Sequence, residues 1–186
     1  PDETEQCLES VMRYTYDYAL IIIDNGSEKP TRKILERLQV FCNPRLRVIR
    51  NEENLGFVKA INQGMKASIA PYVCWLNNDT VVTVGWLDRM RETMVLHEPQ
   101  KCGFVMPKST FHVNPQIFQS ARLGRDVQLP TILGFCVLID RRVIDDIGFL
   151  DERFSEGYGY DETDYFRRAQ ERGWTAWLSA KAFVYH

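Results

Sequence analysis

The sequence predicts an α/β fold, one domain with a mostly parallel central sheet flanked by helices. Three observations carry this expectation. Segments of helical period alternate with short apolar runs along the whole chain, the pattern of strands joined by covering helices. Two of the apolar runs, Ala19–Ile23 and Tyr72–Leu76, stop abruptly at polar groups, Asp24-Asn25-Gly26-Ser27 and Asn77-Asn78-Asp79-Thr80. That ending suits the carboxyl end of a strand in an open α/β sheet, where side chains emerge into the crevice that takes ligands. Finally, 186 residues at 45% hydrophobic content are enough for one sizeable core.

The elements follow in order. Leu8, Val11 and Met12 mark an opening helix with acidic residues in its first turn, and Leu20–Ile23 is a strand. Ile34, Leu35 and Leu38 form the stripe of a second helix, and Leu46–Ile49 a second strand. Phe57, Val58, Ile61 and Met65 give a third helix before the Tyr72–Leu76 strand. Trp86, Leu87, Met90 and Met94 line a fourth; aromatic and Met stripes at this spacing are core-facing. Phe104–Met106 reads as a strand, and Lys108–Pro130 as a long polar stretch without period, a length that in a compact domain marks a functional loop or disorder. Gly134–Asp140 is a buried strand, Arg141–Ile147 a short helix, Asp161 opens a last helix, and Trp174–Tyr185 closes the chain as a strand. No internal repeat or composition break marks a second domain.

Composition excludes several functions. A formal net charge of -2 provides no electrostatic footprint for nucleic acid. Five cysteines, Cys7, Cys42, Cys74, Cys102 and Cys136, show neither metal-ligand spacing nor a disulfide framework and are expected as buried free thiols. A reducing, cytoplasmic setting follows as the default, with a peripheral place at the inner face of the membrane as the other setting. No apolar run approaches the roughly 20 residues of a membrane span, so membrane association would come through segments outside this sequence.

Gly157 and Gly159 around Tyr158 invite comparison with a phosphate-binding loop. The comparison fails, because the following helix opens with Asp161, Glu162 and Asp164, which repel phosphate. One carboxylate in a first helical turn serves the helix dipole. Three within four positions exceed that need and favour a cation or a raised pKa. Asp164 is expected to pair with Arg167 or Arg168 on its own helix, which leaves Asp161 and Glu162 as the functional candidates.

These pieces together resemble the family-two glycosyltransferases, an inverting, sugar-nucleotide-dependent class with the GT-A fold, a Rossmann-like α/β architecture. The resemblance covers nearly the whole chain. ALIIIDNGS is similar to the family's strand ending in Asp, NEENLGFVKAINQGMKAS to its Asn-Leu-Gly-Phe helix start, and LNNDT to its Asp-x-Asp metal motif. TILGFCVLIDRRVIDDIGFLDERF with GYGYDETDYFRRAQERGW resembles the acceptor-side segment and catalytic acidic motif, and FVYH the closing His. Relatives begin with an apolar strand lining the nucleotide pocket, whereas Pro1 stands at the start of the helix that would follow it. The domain, residues 1–186, is therefore expected to lack its first strand here, and with it C-terminal segments.

The resemblance implies roles for individual residues. Asp24 bonds the nucleobase, with Asn25, Gly26 and Ser27 shaping the turn around it. Asn54, Gly56 and Lys59 approach the nucleotide, while Asn51, Asn62 and Gln63 are solvated or capping residues. Asn77 and Asn78 border the nucleotide sugar. Asp79, with His186, holds Mg²⁺ or Mn²⁺ against the donor diphosphate; Asn77 replaces the first Asp of the motif, which reduces the charge of the site. Glu162 is the base that takes the proton of the attacking hydroxyl. The family order is Glu-Asp and this chain has Asp161-Glu162, so Asp161 competes for the role. Trp174 and Trp177 read as core residues or as sugar-stacking faces.

The implied partners are a UDP-, dTDP- or GDP-linked sugar donor and a saccharide or glycan acceptor hydroxyl. A nucleotidyltransferase of related fold would want a glycine-rich segment with Arg or Lys near the first strand, which is not seen. A noncatalytic nucleotide-sugar-binding or assembly module would tolerate loss of Glu162 and Asp161. A receiver-like phosphoacceptor domain is disfavoured by the chain's size and its second acidic cluster.

Overall fold

The chain alternates helices and strands in the predicted order. A computed structural model describes residues 1–41, 46–110, 121, 123–156 and 160–186. Cys42, residues 111–120 and the Gly157-Tyr158-Gly159 loop lie outside the described residues. The helices are α1 (Asp2–Tyr14), α2 (Lys29–Phe41), α3 (Phe57–Ala67), α4 (Trp86–Leu96), α5 (Arg141–Ile147) and α6 (Asp161–Glu171). The strands are β1 (Leu20–Asn25), β2 (Leu46–Asn51), β3 (Tyr72–Leu76), β4 (Val81–Val82), β5 (Cys102–Ser109), β6 (Val127–Leu129), β7 (Cys136–Asp140) and β8 (Thr175–Tyr185).

Hydrogen bonding divides the strands into two sheets. β1 and β2 form a parallel pair, Leu20 opposite Leu46 through Asn25 opposite Asn51. The larger sheet runs β3-β7-β5-β8-β4, with β6 also on β8. Within it β5 and β8 are parallel, and the pairings of β3 and β5 with β7, and of β4 and β6 with β8, are antiparallel. The α/β class holds, but pairing in the larger sheet is more antiparallel than the alternation of strands and helices predicts. Alternation reports which elements cover the sheet; register is settled by tertiary contacts.

The core lies under β5 and β7. All five residues of β7 are buried, as a strand covered on both faces requires. α6 packs there through Tyr165 and Phe166, whose rings meet Phe104 edge-on at 6.0 and 5.3 Å. Such aromatic pairs add about 0.5–1.5 kcal/mol beyond the area they bury. α4 buries Trp86, Met90 and Met94 against β5 and β8. Cys7, Cys102 and Cys136 are buried free thiols and Cys74 a half-buried one; burial pushes the Cys102 thiol up to about 12.

Two strands escape the sequence reading. β4 is two residues long, and β6 lies inside the stretch Lys108–Pro130 read as aperiodic. Both are strands because β8 offers a partner edge, which no local pattern of two or three residues can signal. Asn62 corrects another expectation. It is neither solvated nor a cap but 1% exposed, its amide donating to Leu150 O at 2.9 Å and accepting from Leu150 N at 3.0 Å. Asn51 and Gln63 likewise exchange two side-chain bonds of 2.8 and 2.9 Å.

Replacing Asn62 by Leu would orphan both backbone groups of Leu150. Each buried group left unpaired costs about 1–3 kcal/mol, so urea unfolding of Asn62→Leu is expected to show a loss of that order or larger with little change in m-value.

Candidate active site

The carboxyl ends of β1 and β2 hold a polar network that fixes the following loop. Asn25 Oδ1 accepts from Asn51 Nδ2 and from Leu55 N, each at 3.0 Å. Its Nδ2 donates to Asn54 Oδ1 at 2.7 Å and to Gly56 O at 3.2 Å, and Asn54 Oδ1 takes Gly56 N at 2.9 Å. Asn25 thus spends its hydrogen-bonding capacity on the loop before α3 and acts as scaffold. Gly26 is the tightest point: φ is +77°, and a Cβ there would lie 2.7 Å from Glu53 C and 2.8 Å from Asn54 N. Only glycine fits such a position.

Asp24, 3% exposed, faces Arg50, directly opposite in the β1–β2 register. The two form an ion pair, Asp24 Oδ1 accepts from Ser27 N at 3.0 Å, and Arg50 also reaches Ser27 O at 3.2 Å. Arg50 was not singled out from sequence; the alternation of β2 and the register could have found it. Lys59, half-buried on the first turn of α3, makes no ion pair among the described residues.

At the end of β3, Asn77 N donates to Phe135 O at 2.8 Å, extending the β3–β7 ladder by one residue. Asn78 turns away toward α1, its Nδ2 donating to Thr4 Oγ1 at 2.9 Å. Asp79 lies two residues before β4, and Val81 pairs with Tyr185. That pairing brings Asp79 against His186, Oδ1 to Nε2 at 3.6 Å. The His186 ring stacks on Phe135 with centroids 4.7 Å apart and planes 9° from parallel, and its backbone is held by Thr110 Oγ1 at 2.6 and 3.3 Å.

The Asp79–His186 pair fits a divalent ion. Ligand bonds of about 2.0–2.2 Å place neighbouring donors on one ion roughly 3–3.5 Å apart, close to the observed spacing. No cluster of three or more His, Cys, Asp or Glu side chains able to hold a metal occurs among the described residues, so further ligands would come from substrate oxygens and water.

Phe135 also leads back to the acidic helix. Its neighbour Gly134 directs an N–H at Glu162 Oε1, 3.4 Å away. Glu162 is half-buried, and burial first, then a hydrogen bond and repulsion from Asp161, raise its carboxyl above the ordinary 4.5. Asp161 itself is 5% exposed. Asp164 is ion-paired with Arg168 at 2.8 Å and Arg167 at 3.2 Å. Trp174 is core, its indole N–H bonded to Asp146 Oδ2 at 2.9 Å; Trp177 is covered by His97, stacked at 3.6 Å.

A family model described as Glycosyl transferase family 2 matches residues 1–148. The chain belongs to this family. Human polypeptide N-acetylgalactosaminyltransferase 9 is 25% identical over 89% of this chain and 32% of its own length. The crystal structure of GalNAc-T7 with UDP, GalNAc and Mn²⁺ superposes with a TM-score of 0.78 at 17% identity, covering 97% of this chain and 40% of that one. The mannosyltransferase PcManGT of Pyrobaculum calidifontis, in complex with GDP-Man and Mn²⁺, gives 0.75 at 14% identity, covering all of this chain and 53% of that one. The fold is thus GT-A, and the chain spans about a third of the length of the curated relatives it matches.

In this family 2 chain, Asp79, His186, Gly134 and Glu162 are drawn together by one segment, residues 134–135. Gly134 and Phe135 were missed because nothing in their local sequence separates them from core and turn positions.

Two outcomes follow. Gly26→Ala is expected to cost roughly 1–3 kcal/mol in chemical unfolding, from left-handed strain and the clash with Glu53. Glu162→Gln is expected to raise the melting temperature at pH 7. Because Glu162 holds its proton more tightly folded than unfolded, stability falls as pH rises from the ordinary carboxyl range through the raised value. The amide removes that loss, so the two melting curves should converge below about pH 4.

Proposed function

We propose that this domain is the catalytic part of an inverting glycosyltransferase. It moves a sugar from a nucleoside diphosphate donor to a hydroxyl of a saccharide or glycan acceptor, with Mn²⁺ or Mg²⁺. The observation that carries the reading is the convergence at residues 134–135: one peptide segment contacts a carboxylate of raised pKa, Glu162, and the histidine beside Asp79. Relatives of the same fold bind UDP with Mn²⁺ and GDP-Man with Mn²⁺, which supports a nucleotide-linked donor here.

Glu162 takes the proton of the acceptor hydroxyl as its oxygen attacks the anomeric carbon, on the face opposite the departing diphosphate. Burial gives the carboxylate more basicity than an exposed Glu, and the Gly134 amide orients it. Asp161, buried and next in sequence, raises the Glu162 carboxyl and tunes that carboxylate rather than replacing it. Asp79 and His186 would hold the metal ion, and the imidazole favours Mn²⁺ over the harder Mg²⁺. When bound, the ion neutralises charge on the leaving diphosphate. Asp24, Gly26, Ser27, Asn54, Gly56 and Lys59 frame the nucleotide, with Asn25 as the scaffold of that loop and Asn77 on the sugar side; Asn78, turned to Thr4 on α1, would take part only by leaving that bond. For Asp24 to meet a base, Arg50 must share its carboxylate.

Among the described residues β1 pairs only with β2 and β3 only with β7, which leaves each an open edge. Those edges support the expectation of one apolar strand outside this sequence that completes the sheet and the pocket. No helix among the described residues is long and apolar enough to cross a membrane, so a peripheral place at the inner face would rest on other segments.

Calorimetric titration of the full-length protein with UDP, dTDP and GDP, each with and without Mn²⁺, tests the donor site. One nucleotide is expected to bind only with the metal, and Asp79→Ala to lose it. Glu162→Gln should keep nucleotide affinity while kcat falls by about 10²–10⁴. Unchanged turnover in Glu162→Gln would place the base elsewhere, and no turnover by wild-type protein that binds the donor would leave a noncatalytic module.

A further inference from the structure

Phe57 opens α3 in an unusual way. Its neighbour Val58 and, two turns on, Met65 are buried at 2% and 1%, while Phe57 is 40% exposed. A large ring at a helix start does no capping, and here it is not absorbed into the core cluster. It does have specific neighbours. The point at which a Cβ of Gly134 would lie is 3.4 Å from Phe57 Cζ, 3.6 Å from Glu162 Cδ and 3.6 Å from Glu162 Oε2. The tip of the ring and the carboxylate therefore flank one side of Gly134, and the missing side chain leaves the room of one methyl group between them. Its backbone does not demand glycine, since no left-handed φ occurs at this position; a methyl-sized gap between ring and carboxylate is what the residue leaves.

An exposed aromatic ring near a carboxylate is complementary to a pyranose. One face of such a ring presents C–H groups that stack on an aromatic, while its edge presents hydroxyls that donate to a carboxylate. We propose that Phe57 is the platform for the acceptor sugar: the ring bearing the attacking hydroxyl stacks on Phe57 and directs that hydroxyl to Glu162, with Gly134 keeping the slot clear. The proposal rests on the transferase reading and names its acceptor as a saccharide rather than a lipid or protein hydroxyl. In that role Phe57 sets acceptor affinity and orientation and leaves the nucleotide to the loop behind it.

The test uses full-length protein saturated with the nucleotide and Mn²⁺ that it binds. The probes are methyl α-mannopyranoside, methyl β-glucopyranoside and methyl β-galactopyranoside, titrated by saturation-transfer NMR. At least one glycoside is expected to bind, with its ring C–H protons receiving saturation. Phe57→Ala should weaken it by about tenfold or more and Phe57→Tyr by less than about threefold, as base or sugar stacking on a retained ring predicts. Gly134→Ala, whose added methyl makes only ordinary contacts, should weaken it several-fold. Nucleotide affinity of all three variants should match the wild type. Glycoside binding unchanged in Phe57→Ala, no glycoside binding by nucleotide-loaded wild type, or equal losses of nucleotide and glycoside in Phe57→Ala each overturn the proposal alone. Wild-type protein that binds no nucleotide overturns the transferase reading and this proposal with it.

Discussion

The register between β3 and β7 is the constraint on which the site depends. Leu76 stands opposite Cys136, and the next rung, Asn77 N to Phe135 O at 2.8 Å, fixes how far beyond the sheet each chain emerges. Asp79 follows on one side of that rung and Gly134 precedes on the other. A slip of one residue would turn the side chains of a strand to opposite faces, taking the Phe135 ring off His186 and the Gly134 amide away from Glu162. β7 is held at both edges, by β3 on one side and β5 on the other, so a slip would have to break two ladders at once. Core packing and site geometry are here the same interaction seen at two ends of a strand.

The site also carries local costs that the core must offset. Glu162 and Asp161 are adjacent carboxyls, one half-buried and one buried, and their mutual repulsion is part of what raises the Glu162 pKa. Placing them in the first turn of α6 lowers that cost, because the positive end of the helix dipole favours negative charge. Helix α6 is anchored independently of them by Tyr165 and Phe166 in the core and by Arg168, which binds the carbonyls of Ile147 and Phe149 at 2.9 and 3.0 Å. A strained acidic end on a firmly held helix keeps its geometry when the charge changes.

Much of this was legible in the sequence, for identifiable reasons. Every helix with a stripe of four or so apolar residues was found, as were strands whose apolar run exceeded three residues, because periodicity reports burial directly. The abrupt polar endings at Asp24 and Asp79 correctly marked where β1 and β3 stop, since no buried strand needs them. What escaped was set by pairing at a distance: β4 and β6, whose existence depends on β8; Arg50, defined by its register partner; and Asn62, whose polarity suggested solvent although its bonds to Leu150 lie inside. Phe57, Gly134 and Phe135 escaped for a further reason. An aromatic or a glycine has a structural use almost anywhere, and only its neighbours in space show when that use is exceeded.

Helix α3 links the β1–β2 end of the domain to the acidic end, although among the described residues the two sheets share no strand pairing. A two-stranded sheet alone is marginal in stability, so β1 and β2 depend on the helices that pack on them. α3 lies on β1, with Gly64 close to Ile23, and its Asn62 grips both backbone groups of Leu150, on the segment leading to α6. Its first residue is Phe57, beside Gly134 and Glu162, and the loop before it is the one tied down by Asn25. A shift of the Asn54–Gly56 loop on meeting a ligand would therefore move the start of α3, and with it the ring that borders Glu162. Because Asn62 fixes the middle of the helix, such a shift appears at Phe57 as a tilt about that point rather than as a translation of the whole element.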